Sequence, residues 1–177
     1  MSFGIRILGA AALAAGALAL APPGGMAASG GGCAGADRAD LPPAAQERAM
    51  ICLINQARRA RGLRPVRTNP RLSRSATAKN RLMARCDDFS HTACGRAFTH
   101  TFERAGYRGR SVGENIAWGT GQLGTPRAIH RAWMRSPGHR RNTLSPQWRE
   151  VGVDLLRGVR FQGYRGAALW TAQYGVR

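Results

Sequence analysis

Four cysteines, at positions 33, 52, 86 and 94, constrain this chain more than any other feature, because of what precedes them. Arg6 is the lone charge ahead of a small and apolar run from Ile7 to Ala21, and small-residue cleavage candidates follow at Ala21 and at Met26-Ala27-Ala28. This is the pattern of a secretory signal peptide, assigned to residues 1–28. The run is shorter than the roughly 20 apolar residues of a membrane anchor and is interrupted by glycine. Glycines at 30, 31 and 32 leave Cys33 without the aliphatic residue of a lipoprotein signal. A secreted protein is therefore expected, and in an oxidising compartment its cysteines pair. Three connectivities are open, of which the sequence-local Cys33–Cys52 and Cys86–Cys94 are preferred. The spacing contains no C-x-x-C knuckle, which argues against a cysteine metal site.

At 177 residues the chain has room for this leader and one domain. Residues 29–43 are rich in Gly, Ala and Pro without periodicity and read as a linker, leaving 44–177 as the folded domain. Ala44 to Arg61 places Met50, Leu53, Ile54 and Ala57 on one helical face, with cations near the C-terminal end and Gly62 as the stop. Asn69-Pro70 opens a second helix as N-cap and first-turn proline, with Leu72, Ala76 and Met83 buried and an end near Arg85. A third spans Ala97 to Ala105. A fourth begins at Thr125-Pro126, buries Ile129, Ala132 and Trp133, and is broken by Ser136-Pro137-Gly138.

Apolar runs at Ser111 to Trp118, Glu150 to Leu156 and Ala167 to Val176 read as strands. The last two form an antiparallel pair, with turn chemistry at Arg157-Gly158 and Gly163 to Gly166. Helices first and a terminal strand pair argue for an α+β fold with helices packed on a small sheet.

The formal charge is +18, yet Lys79 is the only lysine among the 27 basic residues. An almost exclusive use of arginine follows from GC-rich coding as readily as from an anionic partner. Aromatics are 7% and do not interleave with the basic residues, so no specific nucleic-acid recognition is expected. Salt-sensitive adhesion to anionic envelope polymers or lipids is the expectation from charge.

Few groups could do chemistry. His91 follows the second helix, Glu114 enters an apolar strand, and His139 follows the Ser136-Pro137-Gly138 breaker, each where loops on a rigid scaffold build sites. Two imidazoles and a carboxylate could hold Zn2+ or another divalent cation with a position open for water, or act as a proton relay. Structural capping by the same groups is the alternative. His100 and His130, on helices, read as exposed or satisfied. No nucleophile has a Ser elbow, and paired cysteines leave no thiolate.

The segments Leu53-Ile54-Asn55 with Arg58, Phe89-Ser90-His91, Gly113-Glu114-Asn115-Ile116-Ala117, Ser136-Pro137-Gly138-His139 with Asn142, Glu150-Val151-Gly152-Val153 and Trp170-Thr171 with Gln173 occur in a distinctive order. In this the chain resembles the CAP superfamily (cysteine-rich secretory, antigen 5 and pathogenesis-related-1 proteins) in its bacterial SCP-like extracellular form, from about Glu47 to Gly175. The resemblance implies a three-layer α-β-α sandwich around a small central antiparallel sheet. It also implies a cleft holding two histidines and two acids, mapped to His91, His139 and Glu114. The second acid is missing, since its segment reads Trp133-Met134-Arg135-Ser136.

The leading expectation is a secreted, monomeric binding module with a His91/Glu114/His139 cleft for a divalent metal or small ligand, without turnover. A metal-dependent hydrolase with Glu114 as base is the alternative.

Overall fold

The computed structural model describes residues 32–177, together with the backbone of a two-residue strand, β1 (Ile5–Arg6). The signal peptide expected over 1–28 otherwise lies outside the described residues. Helix α1 (Pro43–Arg59) is followed by the short strand β2 (Arg67–Thr68), helix α2 (Pro70–Cys86), a 3₁₀ turn at Ala93–Gly95 and helix α3 (His100–Arg104). Strand β3 (Ser111–Thr120) leads through a 3₁₀ turn into α4 (Pro126–Arg135) and α5 (Pro137–Thr143), and the chain ends in β4 (Glu150–Phe161) and β5 (Tyr164–Val176).

The sheet order is β1-β3-β5-β4-β2. The three long strands are antiparallel, and the two-residue edge strands pair parallel to their neighbours. Period-two alternation sends residues to opposite faces. Val151, Val153 and Leu155 of β4, with Trp170, Ala172 and Tyr174 of β5, pack on Met50 and Ile54 of α1 and on Ile129 and Trp133 of α4. On the other face, Ile116, Trp118, Phe161 and Leu169 meet Met83 of α2, while Leu72 packs with Phe102 of α3 and Tyr107. These contacts make the expected three-layer α+β sandwich.

Both preferred disulfides are present, Cys33–Cys52 and Cys86–Cys94. The first has a consequence for the segment read as a linker. Cys33 and Ala36 are buried against Ala49 and Leu53, and Gln46 and Arg157 both donate to the carbonyl oxygens of Ala39 and Leu41. The part of 29–43 from Cys33 onward is thus built into the domain, held by a bridge that composition alone does not reveal.

Two further differences have local causes. The terminal hairpin is longer than its glycines suggest. It turns at Gln162-Gly163, both at positive φ as a tight two-residue hairpin turn requires, while the register shifts beside Gly158 are absorbed within the strand. The Ser136-Pro137 break also ends α4 only to open α5: Pro137 takes the first-turn position as Pro70 and Pro126 do, although Ser136, unlike Asn69 and Thr125, makes no side-chain cap and its Oγ meets His139 Nδ1 instead.

The close seating of α2 on the sheet positions the site. A Cβ on Gly152 of β4 would fall 2.1 Å from the Leu72 carbonyl carbon and the Ser73 nitrogen, so only glycine lets the helix backbone approach this near. Asn80 of α2 then reaches the sheet, donating to the Leu169 carbonyl oxygen (3.1 Å) and accepting from Thr171 Oγ1 (2.7 Å).

Candidate functional site

Strand β3 pairs with β5 along its whole length, but on its other side β1 meets only Ala117 and Trp118. Among the described residues no strand lies beyond Ser111–Ile116. A cleft of about 410 Å³ wraps this edge, lined by Ser111 to Asn115, His91, His139, Arg141, Asn142 and Trp148. Adjacent residues of β3 point to opposite faces, so Glu114 and Asn115 organise two different walls.

On the α2 side, the half-buried His91 sits in the loop that follows α2, as its position after a helix suggests. Its Nδ1 lies 2.7 Å from Glu114 Oε1. The Glu114 side chain is only 1% exposed, and both its oxygens are engaged. Lys79 Nζ is 3.6 Å from Oε1, and Gln173 Nε2 donates to Oε2 at 2.8 Å and to Thr101 Oγ1 at 3.1 Å. A carboxylate facing Nδ1 selects the tautomer with the proton there and leaves Nε2 as the acceptor. Lys79 is itself buried, and burial lowers its pKa despite the attraction of Glu114.

On the α5 side, His139 is buried, with Nδ1 2.8 Å from Ser136 Oγ. It therefore stands on a helix rather than in the loop expected from the breaker. Asn115 Nδ2 donates to the His139 carbonyl oxygen (3.1 Å) and to Thr143 Oγ1 (2.9 Å), and Asn142 Nδ2 donates to Asn115 Oδ1 (2.9 Å). Trp148 Nε1 donates to the Asn142 carbonyl oxygen at 2.8 Å. Gly113 leaves room for this packing, since a Cβ there would lie 2.7 Å from Asn142 Oδ1 and from the Trp148 ring.

The structure thus brings His91, Glu114 and His139 to one cleft, with Glu114 as the partner that fixes His91. Among the described residues no group of three or more His, Cys, Asp and Glu side chains is placed to hold a metal ion. Glu114, already shared by an imidazole, an ammonium and an amide, does not fit the part of an open metal ligand. His100 is half-buried on α3, and His130 is half-buried on α4 with a buried Nε2 that has no partner among the described residues.

Lys79 and Thr101 were not singled out as site residues by sequence reasoning, and Gln173 and Asn142 entered only through the family resemblance. For Lys79 there was a signal. In a chain that otherwise uses only arginine, the one lysine occupies a buried position where a compact ammonium replaces a planar guanidinium.

The sequence pattern of the cysteine-rich secretory protein family matches residues 51–174. The chain is 34% identical over 132 residues to the uncharacterized protein YkwD of Bacillus subtilis, covering 73% of this chain and 47% of that protein. It therefore spans about half the length of that relative. Among solved structures, a cysteine-rich secretory protein from Staphylococcus aureus superimposes with a TM-score of 0.60 at 18% identity, over 76% of this chain and 39% of that one. An SCP-domain extracellular protein from Bacillus anthracis does so at 0.60 and 20%, over 77% and 44%. An outer surface protein from Borrelia burgdorferi gives 0.61 at 15%, over 72% of this chain and 90% of that one.

Proposed function

The chain belongs to the cysteine-rich secretory protein family, and from that premise we propose that it is an exported binding module that holds a small polar ligand in the His91/His139 cleft without turning it over. Export is supported by the leader pattern, by two disulfides suited to an oxidising compartment, and by relatives described as secretory, extracellular or outer-surface proteins.

The observation that carries the reading is the 2.7 Å contact between His91 Nδ1 and Glu114. It orients the imidazole from behind, so that Nε2 is the atom left for a hydrogen-bond donor or a cation. Asn142, His139 and Arg141 add polar groups to the same 410 Å³ cleft. Zn2+ or another divalent cation is the second occupant to test. It would be held by imidazole nitrogen alone, with Glu114 acting on it only through His91.

The hydrolase alternative needs Glu114 to take a proton from water in the cleft. Its burial and its three partners oppose that role.

Thermal melting should be followed with zinc chloride and with a fragment set of small carboxylates, amides and polyols, on the natural chain and on His91→Ala/His139→Ala. A compound or ion that stabilises the first and not the second supports the cleft. Stabilisation retained by the double variant removes it. Peptide or ester cleavage abolished by chelator and by Glu114→Gln would install the hydrolase instead.

A further inference from the structure

We infer that a second ligand site, for a phosphate-bearing anion, lies in the groove between α2 and α3, independent of the cleft reading. The groove encloses about 470 Å³ and carries Arg81, Arg85, Arg96, Arg104 and His100, with Leu82 among its apolar residues. All four arginines are exposed. No acidic side chain lines the groove.

Most exposed arginines of the chain lack an ion pair, so want of a partner alone does not mark the groove; what sets it apart is that four guanidiniums converge on one hollow that no acid lines. The other arginine-rich hollow, formed by Arg64, Arg67, Arg149 and Arg177, contains Glu150 as its own counter-charge. The groove guanidiniums form no ion pair among the described residues, and their only hydrogen bond there is a 3.8 Å contact from Arg85 to the Cys94 sulfur.

The arrangement is also built. Arg81 and Arg85 are one turn apart on α2, a spacing that places like charges side by side at a cost an anion would offset, and His100 and Arg104 are likewise one turn apart on α3. Arg96 enters two residues after Cys94, which the Cys86–Cys94 bridge fixes to the end of α2. Several planar forks facing one hollow suit the oxygens of a phosphate group. A soluble phosphate and a lipid headgroup share that chemistry.

Inorganic pyrophosphate binding by calorimetry and sedimentation with phosphatidylglycerol/phosphatidylcholine vesicles should be compared for the natural chain, Arg81→Ala/Arg85→Ala, and a charge-matched control, Arg160→Ala/Arg165→Ala, on the exposed β4–β5 hairpin. All these positions are exposed, so the fold is retained, which circular dichroism checks. The groove variant should lose about tenfold or more in affinity, and the control should remain close to the natural chain. Loss confined to the vesicle arm assigns the site to a lipid headgroup, and loss confined to pyrophosphate assigns it to a soluble phosphate. Equal weakening in both variants, or no binding of either probe, overturns the site.

Discussion

Lys79 and Glu114 form a buried ion pair, Nζ to Oε1 at 3.6 Å, with side chains 4% and 1% exposed. The pair joins α2 to β3 behind the cleft, and through Glu114 it supports the orientation of His91. Two charges removed from water repay their desolvation only together, and removal of one strands the other. Lys79→Met should therefore destabilise the protein by about 3–5 kcal/mol, and Glu114→Gln by a comparable amount. The double variant should fall well short of the sum. A double-mutant cycle by urea unfolding checks this, and additive losses would show that the two charges are uncoupled.

Arg58 makes the corresponding connection on the other side. It is fully buried, and its guanidinium donates to the carbonyl oxygens of Arg64, Thr143, Ser145 and Trp148. Burial lowers its pKa, yet its charge is spread over carbonyl dipoles rather than met by an acid. It anchors α1 to the α5–β4 connection that carries Trp148 into the cleft. Arg58→Met would orphan several carbonyls, a loss of about 3 kcal/mol or more. Arg58→Lys should recover little, because one ammonium cannot span that fork. Melting temperatures of both variants decide it, and full rescue by lysine would reduce Arg58 to a point charge.

What could be read from the residues alone follows from which forces are local. The starts of α2 and α4 were legible because Asn69-Pro70 and Thr125-Pro126 carry their own caps, Asn69 Oδ1 accepting from Arg71 N and Thr125 Oγ1 from Ala128 N. Ser136-Pro137 lacks such a cap, so the start of α5 has only its first-turn proline as a local signal, and that proline also ends α4. The packing of Cys33 to Leu41 was legible only as far as the Cys33–Cys52 bridge that spacing favours; the rest depends on the distant donors Arg127 and Arg157. The meeting of His91 with Glu114 spans 23 residues and is set by the seating of α2 over Gly152. Spacing could not supply it. The motif resemblance did.

His130 gives the fold a pH dependence of its own. Burial, and secondarily the nearby Arg127 charge, push its pKa from 6.5 down to about 4. The unfolded chain then binds a proton between about pH 6.5 and 4 that the folded chain refuses. The contribution is present in full above 6.5 and is lost as the pH falls toward 4, up to about 3 kcal/mol. Urea unfolding from pH 7 to 4 should show a shallower decline for His130→Leu than for the natural chain. Parallel declines would mean that His130 ionises normally.

Gly152 tests the geometry on which the α2 wall depends. The contact that a Cβ would make is with helix backbone at 2.1 Å, not with a flexible side-chain end that could swing away. Gly152→Ala must therefore push α2 off the sheet or bend β4, and Asn80, Lys79 and Thr77 move with the helix. Overpacking of this kind costs about 1–3 kcal/mol or more. Displacement of Lys79 from Glu114 adds to the loss, so Lys79→Met should cost less in the Gly152→Ala background than in the natural chain. Equal cost in both backgrounds would show that the strand yields instead, and that the helix keeps its place over Glu114.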